Sequence, residues 1–405
     1  MKAKSIESRG VVVCVVFILY FFINTSISYA SSTRGVTDST VKIGAIFDLT
    51  GPLVTTIKPL VEAIRNVTRY ENERGGIHGR KMKLILEDDR YSIPAAVAAF
   101  KKLVFRDKVF ALIGPGSTGE TRALSDQIMK HKLPSMAYAA DRDVIEPYKK
   151  YLFLPLDTYG NQIGVILDYI VETTKPKKPK IALACVDAGA KVPILRGIKK
   201  WSKFFNLNVK IIMVPMNVLD TTSEVLNMKR DKVEYIVITH TIPTAGLFLK
   251  DLKRFRLNAT VFATYSLTSE DIIKIAGEQA KYFYGVHPYS SWYDEGPGME
   301  ELRKITLEYH PGTEKPYRSK NYSGGWVGMK LIYEGIKRSG RELSVDKFIK
   351  GMESIRNYNT KGICGPITYT SKSHEGLKYD KVFHADPSSG KLIPVTKWRK
   401  APEYK

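Results

Sequence analysis

Cysteine is scarce, with three in 405 residues, at 14, 185 and 364. That excludes a disulfide scaffold and any multi-cysteine metal site. No stretch of 18 residues is uninterruptedly apolar, which excludes a polytopic membrane protein. No run of basic residues reaches five, although the net charge is +22; the densest cluster is KPKKPK at 175–180, which reads as a loop. The seven histidines (78, 131, 240, 287, 310, 374 and 384) show neither H-E-x-x-H nor any paired spacing, so they read as core or surface residues rather than metal ligands. With 43% hydrophobic and 26% charged residues the chain is neither disordered, collagen-like nor coiled coil.

The charge leaves two readings. One is a nucleic-acid or polyanion binder held by phosphate contacts. The other is a basic protein working outside the cytoplasm, where charge governs solubility and steering. The scatter of the basic residues favours the second. So does the N-terminus: Lys2, Lys4 and Arg9 precede an apolar core, VVVCVVFILYFFI at 11–23, and a polar stretch ends Ser28-Tyr29-Ala30. This is the layout of a secretory signal peptide over 1–30, with a retained anchor as the alternative. Removing it takes away three basic residues and one acid, leaving +20. Cys14 lies inside the apolar core, not where a lipid attaches. Cys185 and Cys364 are expected as free or buried thiols. N-x-[ST] triplets at Asn24, Asn66, Asn258 and Asn321 would matter only in a eukaryotic secretory route.

About 375 residues remain, enough for two domains or a little more at roughly 150 per domain. Short β-branched runs alternate with helical patterns. Strands are predicted at 41–47, 81–87, 109–114 and 133–137, with helices at 59–74, 93–106 and 119–131. Pro59 reads as a first-turn residue and Gly75-Gly76 as the stop. The rhythm pauses over 141–160. Strands then fit 180–186, 209–214, 234–239 and 260–263, and helices fit 192–205, 220–230, 243–256 and 269–279. The tail reads as helices at 297–309, 321–339 and 344–355, then a β-rich end over 364–396. The class is α/β, with two doubly wound parallel-sheet lobes in series.

Ligands of open α/β sheets lie outside the carboxyl ends of the strands. GPGSTGET at 114–121 is the most informative such loop. Amides at a helix start, with the hydroxyls of Ser117 and Thr118, can hold an anion such as a carboxylate; a plain N-cap turn is the other reading. A nucleophile elbow would need glycine where Pro115 stands, and no lysine follows the last glycine as in a phosphate loop. The loop is also set aside as a dinucleotide fingerprint. Asp88-Asp89 reads as a strand-end pair bonding its loop. Nothing names an enzyme, a cofactor or a metal.

Several segments in order resemble one family: VKIGAIFDLTGP at 41–52, ENERGGIHGRKMKLILEDD at 71–89, KLVFRDKVFALIGPGST at 102–118, LPSMAYAA at 133–140, NYSGGWVGMKLIYEGIKRSG at 321–340 and GPITY at 365–369. The chain resembles the substrate-binding proteins of branched-chain-amino-acid-type ABC transporters, of the type I periplasmic binding protein class. The resemblance implies a monomer with two lobes joined by a three-crossing hinge near 156–160, 286–290 and 360–364. Lobe one would hold 40–157 and 288–361, and lobe two 158–287 and 362–405. The implied partners are a small-molecule ligand and a membrane permease, with no nucleic acid; the implied compartment is the periplasm or its extracytoplasmic equivalent.

The resemblance also assigns ligand contacts. The 116–118 loop would hold the ligand's carboxylate. Tyr138, Ala139 and Asp141 would contact it from lobe one, and Lys191, Thr241 and Tyr265 from lobe two. The acid that pairs an α-ammonium in the family is Tyr265 here, an aromatic near 190 is replaced by Ala190-Lys191, and Asp141 stands where a hydroxyl residue is usual. Two ligand readings follow. In the first, Asp141 replaces the missing acid and the ligand is an amino acid, preferably apolar. In the second, the ligand is an amine-free aromatic or short aliphatic carboxylic acid, held by Lys191 and the 116–118 loop between Tyr138 and Tyr265.

Overall fold

The computed structural model describes residues 33–310 and 319–403. The expected signal peptide, Cys14 and Asn24 lie outside them. Five strands form an all-parallel sheet: β1 (Thr40–Phe47), β2 (Lys81–Asp88), β3 (Ala111–Ile113), β4 (Ser135–Met136) and β5 (Leu152–Phe153), in the order β2-β1-β3-β4-β5. Seven more follow: β6 (Ile181–Val186), β7 (Val209–Val214), β8 (Tyr235–Thr239), β9 (Thr260–Ala263), β10 (Phe283–His287), β11 (Lys381–Asp386) and β12 (Lys391–Pro394). Their order is β12-β11-β10-β9-β8-β6-β7, parallel except for β11 and β12. The second sheet is therefore mixed at one edge, a refinement of the all-parallel expectation.

Sequence explains strand position. The β6 segment IALACV is buried along its whole length, as a strand covered on both faces must be. The edge strand β7, VKIIMV, alternates, with Ile211 and Met213 exposed and Lys210 half-buried against Asp231. Helices α1 (Val54–Glu73), α2 (Ile93–Lys101, continued by a π turn over Lys102–Arg106) and α3 (Thr118–Lys130) cover the first sheet. The second takes α4 (Tyr159–Thr174), α5 (Lys191–Phe204), α6 (Thr222–Arg230), α7 (Ile242–Arg254) and α8 (Asp271–Ala276).

The tail helices α9 (Pro297–Tyr309), α10 (Lys320–Ser339) and α11 (Val345–Glu353) return to the first sheet. There Phe348 meets Phe110 edge-on at 5.5 Å, and Asn66 donates to the Tyr322 hydroxyl at 2.8 Å. Glycine permits the docking of α10 on α1: a Cβ on Gly325 would lie 2.1 Å from the Leu60 carbonyl oxygen. The chain thus passes between the lobes three times: after β5, after β10 and after α11. No described helix is long and apolar enough to cross a membrane. Cys185 and Cys364 are free and buried.

Three differences from the sequence reading have physical causes. First, α1 begins at Val54, five residues before Pro59, because the Asp48 carboxylate accepts from the Leu53 amide at 2.7 Å and from Gly51, fixing the turn upstream. Second, α4 has no predicted counterpart; its run IGVILDYI is too apolar and β-branched to show a helical stripe, since nearly every side of it is buried. Third, the β-rich end is mostly isolated bridges around two true strands, and the two-residue β5 and β10, whose FYGVH is broken by a glycine and ends in a histidine, have no predicted counterpart.

Candidate functional site

The strand order reverses between β1 and β3 in the first sheet and between β6 and β8 in the second. Loops leaving the carboxyl ends of those strands face one another. Between them lies a cavity of about 60 Å³. From lobe one it takes Leu53, Thr56, Ile57 and Leu60, then Tyr91, Gly116, Ser117, Thr118 and Tyr138. From lobe two come Val186, Ala190, Ile194, Thr239, His240, Thr241, Tyr265 and Ser266. Tyr159, Tyr289, Asn321 and Gly324 close it near the chain passages.

Ser117 is the N-cap of α3: its Oγ accepts from the Glu120 amide at 3.3 Å and donates to Glu120 Oε2 at 2.7 Å. Thr118 Oγ1 accepts from the Ala140 amide at 3.1 Å, tying the loop to the next strand end. The first amides of α3 have no partner within the helix, and the helix dipole favours a negative charge there. Tyr138 donates to the Gly324 carbonyl at 3.0 Å, so α10 fixes its ring. Across the cavity the Tyr265 amide donates to Gln162 Oε1 at 3.1 Å, and its ring lies 5.6 Å from Tyr159.

The cavity carries no formal charge. Among the described residues lining it there is no lysine, arginine, aspartate or glutamate. Burial pushes the Tyr265 hydroxyl up to about 12 and raises Tyr91, Tyr138, Tyr159 and Tyr289 too, so all remain neutral. Burial also lowers the pKa of His240. Its Nε2 lies 3.0 Å from the Pro215 carbonyl, which makes Nε2 the protonated nitrogen and leaves Nδ1 a buried acceptor without a partner.

Of the eight residues expected at the site, Ser117, Thr118, Tyr138, Thr241 and Tyr265 converge on this cavity. Ala139 is fully buried behind it. Asp141 is 1% exposed and turned elsewhere: Arg122 Nη2 lies 2.5 Å from its Oδ2, and Arg196 is 3.6 Å from its Oδ1. Lys191, half-exposed at the start of α5, pairs with Asp187 at 2.7 Å. Each charge that the sequence reading aims at a ligand thus has a partner within the protein.

Tyr91, Tyr159, Tyr289 and His240 were not expected. Tyr91 had a signal: it follows Asp88-Asp89 at the end of a strand beside the switch point. Both Arg90 and Tyr91 hold positive φ, at 51° and 56°, a strained conformation that clusters at functional loops.

The lobes touch across the cleft. Thr56 donates to the Ser266 carbonyl at 3.3 Å, Arg122 to the Gly189 carbonyl at 3.3 Å, and Arg196 pairs with Asp143. Gly119 and Gly189 meet backbone to backbone: a Cβ on Gly189 would lie 3.0 Å from the Gly119 Cα.

Beneath the Ser117 loop lie four carboxyl groups. Asp48, Asp88 and Asp89 bring oxygens within 4.8 Å of one another, the one such group found among the described residues. Their oxygens serve the loops: Asp48 holds the Gly51 and Leu53 amides, Asp88 the Leu49 and Arg90 amides and the Thr50 hydroxyl, and Asp89 the Tyr91 amide. This is the strand-end bonding expected of Asp88-Asp89, extended to a third acid. Glu120 joins from α3. Burial, then the other acids, pushes Asp89 up to about 6 and Glu120 up to about 7.

The loop set aside as a dinucleotide fingerprint does carry one mark of it. Gly114, Gly116 and Gly119 do have G-x-G-x-x-G spacing, between a strand and a helix. Packing accounts for the first two: a Cβ on Gly114 would lie 2.4 Å from the Ile46 carbonyl oxygen, and one on Gly116 2.9 Å from the Phe47 ring. The cavity above them is too small for a dinucleotide.

A family model described as periplasmic binding protein matches residues 40–386. The Leu/Ile/Val-binding protein of Escherichia coli is 20% identical over 339 residues, covering 82% of this chain and 87% of that one. A branched chain amino acid ABC transporter structure from Thermus thermophilus with bound valine superposes with a TM-score of 0.82 at 21% identity, covering 90% and 97%. A solute binding protein of an ABC transporter from Rhodopseudomonas palustris, in complex with 3,4-dihydroxy benzoic acid, gives 0.78 at 20%, covering 91% and 99%.

Proposed function

We propose, from the premise that this chain belongs to the periplasmic binding protein family, that it is the receptor of an ABC importer for a small amine-free carboxylic acid with an apolar or aromatic body. The clamp would close on that acid and present itself to a membrane permease from the extracytoplasmic side. The observation that carries the ligand class is the uncharged cavity. An α-ammonium would enter it without a carboxylate to face, and stripping a cation of water without a partner costs several kcal/mol. A carboxylate instead finds the first amides of α3 and the hydroxyls of Ser117 and Thr118. Lys191 has no part in this reading, since its charge is spent on Asp187. At the lobe-two wall, the free Nδ1 of His240 suits a hydroxyl donor on the ligand.

A thermal-shift panel of 3,4-dihydroxybenzoate, 4-methylpentanoate and L-leucine tests this. Saturation at about 1,000 times the dissociation constant adds about 4 kcal/mol to the folded state. The two amine-free acids should raise the midpoint and L-leucine should not. Shifts with L-leucine alone would return the ligand to the amino acids. Ser117→Ala should weaken a bound acid by about 1–3 kcal/mol, through loss of a hydrogen bond to a charged group.

A further inference from the structure

A serine hydroxyl has one proton to give. That of Ser117 is given to Glu120 Oε2, at 2.7 Å, on the far side of the loop from the cavity. Spent there, it cannot be offered to a ligand. The other oxygen of Glu120 and Oδ2 of Asp89 are buried with no hydrogen-bond donor, while Asp89 Oδ1 takes the Tyr91 amide at 3.0 Å. Burial raises both acids, Asp89 to about 6 and Glu120 to about 7, and the charge of Asp89 adds to the rise at Glu120, so without a ligand the pair gives up its last proton near neutrality.

The groups facing the pair are Asp48 after β1, and Asp88 and Tyr91 around the end of β2. Arg90 lies beside Asp88, and Arg122, on the helix of Glu120, turns away to Asp141. An incoming carboxylate would therefore add a negative charge above an acid cluster for which no buried cation is found among the described residues.

We infer that the receptor takes up its carboxylate ligand together with one proton, which settles on the Asp89–Glu120 pair, and that Glu120 is a positioning residue whose neutral form releases the Ser117 hydroxyl to the ligand. This rests on the carboxylate reading above and deepens it. A serine followed three residues later by glutamate is also a capping box, but a capping box takes up no proton when a ligand binds.

Isothermal calorimetry with 4-methylpentanoate and 3,4-dihydroxybenzoate at pH 6, 7 and 8, in two buffers of different ionisation heat, separates the alternatives. The expected result is uptake of close to one proton at pH 8 and affinity about tenfold lower at pH 8 than at pH 6. Glu120→Gln, neutral at every pH, should bind with no pH slope and no proton uptake. Binding by the unsubstituted protein with equal affinity across the range, or without proton uptake at pH 8, overturns the inference even if the variant fails to fold. A slope surviving in Glu120→Gln overturns the role of Glu120. No binding of either acid at pH 6 overturns the carboxylate reading, and this inference with it.

Discussion

Near the chain passages, Glu270 is buried against the ammonium of Lys320 at 2.9 Å, with the Ser291 hydroxyl donating to the same oxygen at 2.8 Å. Asp157 and Asp380 are buried too, but against each other, and three of their four oxygens have no donor. The first arrangement balances a charge with a charge. The second balances it by keeping a proton. The cleft floor repeats the second arrangement in Asp89 and Glu120. A buried ion pair holds at every ordinary pH, whereas a shared proton holds only until the solution takes it back.

The largest expected effect comes from removing the cation. Lys320→Met should cost about 3–5 kcal/mol at pH 7, since it takes the cation away from a buried carboxylate; chemical denaturation measures it. A cost below about 1 kcal/mol would mean that the Lys320 cation does not balance Glu270, and the contrast would collapse.

Next comes the acid pair. Burial pushes Asp157 up to about 7 and Asp380 well above the usual carboxylate range. Both folded values are raised, so the folded protein holds protons the unfolded chain releases. Their contribution is fully present below about pH 4 and is lost as pH rises through about 7 and beyond. Asp380→Asn should therefore raise stability at pH 8 by about 1–3 kcal/mol and flatten the decline above pH 6. An unchanged slope in urea midpoints would refute the shared proton.

The smallest effect concerns the two charges that sequence places at the ligand. Lys191→Ala should leave the thermal midpoint and the ligand-induced shift essentially unchanged, as its pair is exposed. Asp141→Asn should leave the affinity of a bound acid within a few-fold yet open the lobes more often, readable by small-angle scattering. Loss of all ligand binding in Asp141→Asn would reinstate it as a contact.

That pair shows where sequence stops. The place of Ser117 and Thr118 at the cavity was legible because its signal is local: strand, glycines, hydroxyls and helix start lie within eight residues. The partners of Asp141 are not local, since Arg122 precedes it by 19 residues and Arg196 lies in the other lobe. A lone charge in a sequence reads as free, and only the fold shows it spent. Strand β6 was legible because covering both faces makes it one apolar run. Helix α4 was hidden by the same burial, because a segment apolar on every side loses its period. Tyr159 and Tyr289 reach the cavity from the passages between lobes, where neither strand nor helix pattern points.

The meeting of Gly119 and Gly189 makes the clamp's mouth a seam with no tolerance. A single methyl on Gly189 is a doorstop: it wedges the rim without touching a ligand contact. The residues that grip a ligand are thus distinct from those that decide whether the door can latch. Capture and delivery could be dissociated at one glycine, giving a receptor that still fills but never presents a finished surface to the importer.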